Sequence, residues 1–184
     1  MMRCVAHLRD FLHRRRNRND RRSHVVPNEV DLLKQYQTMK TIVTGQRERL
    51  KVFETNRSTS SEVPLDTRIH SAYQSVYGIG LVVAIAYNCV LSALYPENIE
   101  LTLDSTSFVA DVLLIGKSVC RYKPLGSTYI ALCLGAAWVG TNDPITKAEV
   151  EKTWEDCGGD FPPGQQKPPI RELKWTERQL RFLD

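Results

Sequence analysis

The chain has 184 residues, of which 25 are Lys or Arg and 21 are Asp or Glu, so its formal net charge is +4. This length suits one domain or a membrane hairpin with soluble ends, and it excludes a large barrel enzyme or a two-domain dehydrogenase. A hydrophobic fraction of 42% excludes wholesale disorder, and the Gly and Cys contents exclude collagen-like and disulfide-rich miniprotein classes.

The N-terminal segment, residues 1–24, holds all of the excess positive charge. It contains eight Arg and two Asp, whereas the other 160 residues carry 17 basic and 19 acidic side chains. Apolar residues at helical spacing precede the arginines, so we expect a basic amphipathic arm. This pattern is typical of a mitochondrial targeting segment, of a phosphate- or RNA-binding arm, or of a solvated, flexible arm. The residues expected to contact anionic lipid or nucleic acid are Arg14, Arg15, Arg16, Arg18, Arg21 and Arg22.

Residues 25–70 are expected to form an amphipathic helix and a polar linker. Pro27 and Asn28 favour a helix start. Apolar residues then recur in steps of three, four and seven, with Gln46 as the one polar position. This narrow heptad seam predicts packing within the chain more strongly than a two-chain coiled coil. From residue 54 to residue 70, Ser, Thr, Asn and Pro dominate and favour turns.

The strongest pattern is an uncharged stretch from Ser71 to Pro96. As a helix, its centre at residues 77–95 is long enough to cross a hydrocarbon core about 30 Å thick. This stretch is therefore a candidate membrane span, with a buried core helix or a pair of core strands as alternatives. Tyrosines at its ends lie where an aromatic belt is expected. Asn88 and Ser92 share one helix face, and we expect them to contact a neighbouring helix.

The segment between the two apolar stretches has a mixed pattern. Residues 99–103 alternate in the manner of a short strand, and Asp104 is a candidate cap for a helix that ends at Gly116. This helix is too short to cross a bilayer, so we expect it to be interfacial or packed. We expect Asp111 to face water at an interface, with a proton-handling role as the alternative.

A second uncharged stretch runs from Pro124 to Asn142. Residues 125–141 are the second candidate span, and with the first they predict a transmembrane hairpin within residues 71–142. Small residues spaced four apart allow close helix contacts in lipid. The positions expected to pack helix on helix are Ala131, Gly135, Ala136 and Gly140.

The C-terminal part, residues 143–184, is expected to contain a polar helix, a Pro-rich connector and a helical tail. Asp143 as cap and Pro144 in the first turn favour a helix start. Residues 161–169 are rich in proline and predict an extended connector. The apolar residues of the tail do not share one face, so we expect the tail to lie against a partner or to fold back on its own chain.

The sequence shows no catalytic or metal-binding signature. It has no phosphate-binding loop, dinucleotide fingerprint, zinc-protease motif or serine-hydrolase motif, and its five cysteines lack metal-ligand spacing. We therefore expect neither catalysis nor a cofactor. The cysteines are expected to be small buried apolar side chains, with a disulfide such as Cys120–Cys157 as the less favoured alternative.

These patterns predict a mainly α fold: a two-helix transmembrane hairpin with an amphipathic N-terminal helix and a Pro-tethered C-terminal helical tail. The matching function is a non-catalytic accessory subunit of a mitochondrial inner-membrane assembly, such as a respiratory or ATP synthase complex. Its partners would be other subunits and anionic lipid headgroups. The alternative is a soluble α or α+β domain with a basic arm. That protein would be an RNA-binding, self-associating structural protein, such as a viral coat or matrix protein, in a virion or the cytoplasm.

Overall fold

The computed structural model describes residues 29–57, 64–119, 127–161 and 166–181. All regular structure in these ranges is helical, which confirms the mainly α prediction. The helices are α1 (Glu29–Arg57), α2 (Pro64–Leu94), α3 (Ile99–Val119), α4 (Ser127–Gly140), α5 (Pro144–Cys157) and α6 (Ile170–Arg181), with a 3-10 turn at Gly158–Asp160.

Helix α1 packs along α2 in the opposite direction through its heptad seam. Tyr36 contacts Asn88 towards one end of the pair, and the ring of Phe53 stacks on His70 towards the other. The seam is buried at Leu32, Tyr36, Met39, Val43 and Leu50. The structure therefore places the seam within the chain, as its narrow width predicts.

Helix α2 is the centre of the bundle and is longer than the expected span. It begins at Pro64, so residues 64–70 are helical, as are residues 54–57 at the end of α1. The expectation of a linker over residues 54–70 was wrong for both ranges. Helices α1, α3, α4 and α6 all pack against it. Among the described residues, Thr67–Leu94 is the one segment long and apolar enough to cross a membrane, and 67% of its most apolar window is buried inside the bundle.

Helix α3 begins at Ile99, so the short strand expected at residues 99–103 was a wrong prediction. The Oδ1 atom of Asn98 accepts hydrogen bonds from the backbone N–H groups of Glu100 (3.0 Å) and Leu101 (3.4 Å). Asn98 therefore caps the helix and satisfies two free N–H donors of its first turn, so the helix begins before Asp104 instead of after it.

Helix α4 is shorter than a membrane-spanning helix. Its 14 residues rise about 21 Å, against about 30 Å for a hydrocarbon core. The second span expected at residues 125–141 is therefore not confirmed. Helix α5 begins where its cap predicts, because the Asp143 side chain accepts hydrogen bonds from the N–H groups of Ile145 and Thr146.

Helix α6 folds back on α2 and α4. The Nη2 atom of Arg181 donates to the carbonyl oxygens of Val139 (3.0 Å) and Gly140 (3.2 Å) at the end of α4. On its neighbouring turn, Glu177 binds Nζ of Lys147 in α5 at 3.0 Å. The structure thus shows the tail in contact with its own chain, which is one of the two arrangements that its sequence allows.

The described cysteines are of two kinds. Cys89 and Cys133 are buried free thiols, as expected. Burial raises the pKa of Cys89 to about 11 and that of Cys133 to about 12, so both remain protonated at neutral pH. Cys157 is disulfide-bonded, with a partner outside the described residues. For Cys157 the expectation of a plain apolar side chain was wrong.

Replacing Gly45 by Ala is expected to raise the free energy of unfolding by about 0.5–1 kcal/mol, because Ala favours a helix interior over Gly. Gly45 is exposed on α1, and nothing lies within 4 Å of an added Cβ. Urea denaturation followed by circular dichroism measures the change.

Gly80→Ala on α2 is the matched control for this prediction. An added Cβ at Gly80 would meet Oε1 of Gln46 in the seam and lie 3.4 Å from Val43. The amide end of Gln46 has to move aside, so this variant should gain less stability than Gly45→Ala. Equal effects of the two alanines would contradict the described contact between α1 and α2.

Candidate functional site

Asp111 on α3 is a buried carboxylate held by two other helices. Its side chain is 7% exposed, and Oδ1 lies 2.9 Å from Nη2 of Arg47 on α1. Its Oδ2 atom accepts a hydrogen bond of 2.6 Å from the hydroxyl of Tyr77 on α2. The expectation that Asp111 faces water was wrong, because the charge of Arg47 and the phenol of Tyr77 replace water around the carboxylate.

Tyr77 is the donor in this cluster and is itself only 3% exposed. Burial, followed by the hydrogen bond to Asp111 and the charge of its carboxylate, raises the pKa of Tyr77. The phenol therefore stays neutral and can donate to the carboxylate at any ordinary pH. The sequence suggested a membrane-interface position for this residue, whereas the structure places its hydroxyl at a contact between helices.

Asn88 lies where α1, α2 and α3 meet. Its Nδ2 atom donates to the hydroxyl of Tyr36 (3.0 Å) and to the carbonyl oxygen of Leu101 (2.8 Å). Ser92 donates to Oδ1 of Asn88 at 3.2 Å. The Tyr36 hydroxyl in turn donates to Oδ2 of Asp104 at 2.8 Å. Asn88 and Ser92 thus lie at a contact between helices inside the bundle.

Lys40 extends the contacts around Asn88, Tyr36 and Asp104 to the surface of the bundle. Its Nζ atom lies 2.7 Å from Asp104 and 2.9 Å from Glu100. Partial burial lowers the pKa of Lys40, but the hydrogen bonds to Asp104 and Glu100 outweigh it, so the pKa lies above its ordinary value. These charged and polar contacts hold α1 on α3 in one register.

His70 is a buried imidazole between α1 and α2. Its Nε2 atom lies 2.9 Å from Oε1 of Glu54, and its ring stacks on Phe53 at 5.8 Å between centroids. Among the described residues, His70 and Glu54 have no third side chain beside them that could complete a metal site. In the part of the chain that the structure describes, no group of three His, Cys, Asp or Glu side chains is placed to hold a metal ion.

A cavity of about 660 Å³ lies between α2, α4 and α6. None of its lining side chains is charged, and its one hydroxyl, on Thr176, already donates to the carbonyl oxygen of Glu172 at 2.9 Å. Four small residues create much of the space: Ala86, Ala131, Gly135 and Ala136. The cavity is therefore suited to a hydrocarbon group and offers no free polar group to orient a polar one.

The small residues singled out by the sequence lie in two environments. At Gly140 an added Cβ would lie 2.7 Å from Cγ2 of Ile85, so α4 approaches α2 closely there. Ala131 and Ala136 are half-buried beside the cavity, and an added Cβ at Gly135 would lie 3.3 Å from Leu173 of α6. The six arginines predicted to bind lipid or nucleic acid, within residues 14–22, lie outside the described residues.

Comparison with models of protein families, with curated proteins and with solved structures finds no match for this chain.

Proposed function

We propose that the protein is a non-catalytic, water-soluble structural protein whose Arg-rich arm binds RNA, as in a viral coat or matrix protein. This proposal rests on the outer face of α1. That helix lies along the apolar segment Thr67–Leu94 of α2, and its seam faces α2. Its outward positions include exposed charged side chains: Lys34, Glu48, Arg49, Lys51 and Glu54.

The position of these charges supports water rather than lipid as the surroundings of the bundle. Gln46 lies opposite Gly80, in the middle of α2, so Glu48 and Arg49 lie close to the middle of the apolar segment. At the centre of a bilayer, each charged side chain costs at least about 2.5–3.5 kcal/mol. In water the same residues carry no such penalty, which favours a bundle surrounded by water.

The charge distribution of the sequence supports a polyanion as the partner of the arm. Residues 1–24 have a net charge of +6, while the remaining chain has a net charge of −2. A protein of this kind attracts RNA through the arm alone, because the body provides no excess positive charge.

RNA binding by the full-length chain across a salt series tests this proposal. We expect a fluorescent single-stranded RNA to bind with a Kd that rises steeply with salt. Replacing Arg14, Arg15, Arg16 and Arg18 by Ala should weaken binding at least tenfold and reduce the slope of log K against log salt by about 3.

A matched control removes four exposed positive charges from the bundle, by replacing Lys34, Arg49, Lys51 and Lys174 by Ala. These positions are exposed on α1 and α6. This variant should retain most of the affinity for RNA. An equal loss in both variants would reveal attraction by net charge alone, and the absence of RNA binding in the full-length chain would refute the proposal.

A second candidate function is favoured by one observation on α2. Its exposed face carries a stripe of apolar side chains at helical spacing, at Ile69, Tyr73, Val76 and Ile79. In this candidate, α2 and α4 form a transmembrane hairpin in an accessory subunit of a mitochondrial inner-membrane respiratory or ATP synthase complex. The stripe would contact lipid or another subunit, and the arm would contact anionic headgroups.

Carbonate extraction of the expressed chain from a membrane fraction separates the two candidates. We expect release into the supernatant, because a bundle surrounded by water has no integral contact with lipid. Retention in the membrane pellet, with aggregates removed by flotation on a density gradient, would favour the membrane subunit instead.

A further inference from the structure

Trp175 is an exposed aromatic residue on the outer face of α6. It is 60% exposed, whereas the other two tryptophans of the chain, Trp138 and Trp154, are each 4% exposed. Aromatic side chains contribute strongly to cores and interfaces because of their large apolar area. The bundle makes little use of this area at Trp175, so the ring is available to a partner.

Cationic side chains surround this indole on the same face of the helix. Arg171 lies four residues before Trp175 and Arg178 lies three residues after it, so at 3.6 residues per turn the three side chains point in one direction. The exposed charged residues of α6 are Arg171, Lys174 and Arg178 against the one carboxylate of Glu172, which is a net charge of +2. The outer face of α6 is thus complementary to a negatively charged partner.

The inner face of α6 is already in use. Glu177 and Arg181 hold it to α5 and α4 through an ion pair and hydrogen bonds. Three apolar residues of the helix pack towards the core: Ile170, Leu173 and Leu180. A lipid surface takes up the apolar face of an amphipathic helix, and this helix buries that face within the bundle. Among the described residues of α6, Trp175 is the one exposed apolar side chain, which is too little for insertion into a membrane.

Single-stranded nucleic acid combines the two features that this face can bind. Each base offers a flat ring that stacks on an aromatic side chain, and the guanidinium fork of arginine matches the oxygens of a phosphate. In a duplex the bases are paired and stacked on one another, so they are not free to contact Trp175. The face therefore favours an unpaired strand.

We propose that the outer face of α6 is a stacking platform for a base of single-stranded RNA, with Trp175 against the base and Arg171 and Arg178 on phosphates to either side. This inference rests on the RNA binding proposed above: the arm attracts the strand from a distance, and α6 contacts it at short range. It adds that the bound RNA is unpaired where it meets the bundle.

Tryptophan fluorescence of the full-length chain tests the platform, because acrylamide in solution reaches Trp175 but not the two buried indoles. Single-stranded RNA should quench the emission saturably and lower the quenching constant for acrylamide by about twofold or more, since a stacked base shields the ring. Polyphosphate supplies negative charge without bases, so it should leave that constant almost unchanged. Duplex RNA of the same length should also leave it almost unchanged.

Variants with measured RNA affinity make the test specific. Trp175→Ala should weaken binding of single-stranded RNA about fivefold, and Trp175→Phe, which keeps a ring for stacking, should stay within about twofold of the original affinity. The matched control is Val52→Ala on α1, where an apolar residue with an exposure of 59% is shortened. It should leave the affinity unchanged, and circular dichroism establishes that each variant is folded.

The results separate failure of the platform from failure of RNA binding itself. If RNA binds but neither Trp175→Ala nor acrylamide quenching shows an effect, the platform is refuted and binding by the arm stands. If no RNA binds to the full-length chain, the proposed function fails and the platform fails with it. If vesicles of phosphatidylglycerol and phosphatidylcholine shield Trp175 from acrylamide and single-stranded RNA does not, the face contacts a membrane and the proposal is overturned.

Discussion

The Asp111→Ala variant is expected to lower the free energy of unfolding by about 2–4 kcal/mol. Its carboxylate binds Arg47 and accepts the hydroxyl hydrogen of Tyr77. Removal leaves the buried phenol without this acceptor, which costs about 1–3 kcal/mol. The remainder comes from Arg47, which loses its counter-charge. This part is small, because the Arg47 side chain is 42% exposed and water solvates the guanidinium.

Two further variants separate the parts of this effect in urea denaturation. Tyr77→Phe removes only the donor and should cost about 1 kcal/mol. In the Tyr77→Phe variant, Asp111→Ala should lower the free energy of unfolding by less than it does in the unmodified protein, because no phenol is left that needs an acceptor. Glu48→Ala, which removes an exposed ion pair with Lys51, should change stability by less than about 1 kcal/mol. If Asp111→Ala changed stability as little as Glu48→Ala, Asp111 would face water and not the buried contact.

The helical architecture follows from local patterns in the sequence. The seam of α1 can be predicted from the sequence because apolar residues recur at the helical period over about six turns, so that one face can bury them together. The start of α5 can be predicted because Asp143 caps the free N–H groups of the first turn and the proline that follows fits the backbone geometry of that turn. Each of these signals lies within a few residues, so no tertiary contact is needed to interpret it.

The buried polar contacts depend on tertiary structure and were not predictable in the same way. Arg47 and Asp111 are 64 positions apart, so nothing near Asp111 shows that a counter-charge will reach it. The sequence instead suggested exposure, since an isolated carboxylate in an apolar helix is costly to bury. The chain overcomes that cost by aligning three helices so that one cation and one phenol converge on the carboxylate.

The start of α3 shows how two local signals compete. Residues 99–103 alternate between apolar and other side chains, and a period of two favours a strand. Asn98 precedes them, however, and its side chain bonds to the N–H groups of Glu100 and Leu101. The cap, together with burial of the later apolar positions of α3, favours the helix.

Composition cannot distinguish a buried core helix from a membrane span, because both lack charge. Helix α2 has the length and apolar character of a span, yet two thirds of its apolar window is covered by other helices. The information that separates the two cases lies in the neighbours of α2, above all in the charges on the outer face of α1. The small residues of α4 were equally ambiguous: Gly140 allows a close helix contact, whereas Ala131 and Ala136 border a cavity.

Two substitutions on α2 should differ greatly in their effect on stability if the bundle is surrounded by water. Leu81 is fully buried, and Leu81→Ala is expected to lower the free energy of unfolding by about 2–5 kcal/mol through lost burial and a residual void. Val76 is 47% exposed on the uncovered stripe. Val76→Lys places a charge in the same apolar helix, but water solvates the ammonium, so we expect a change of less than about 1 kcal/mol.

Urea denaturation in buffer without detergent measures both variants, and the fraction of each variant recovered in the supernatant is the second readout. Val76→Ala controls for the loss of the valine side chain alone. If the stripe faced lipid, Val76→Lys would bring a charge into the hydrocarbon region at a cost of at least about 2.5–3.5 kcal/mol, and the protein would need detergent before and after the change. If Val76→Lys keeps the stability of the protein and Leu81→Ala lowers it, one face of α2 contacts the core and the other contacts water. The apolar character of α2 then serves the interior of the bundle.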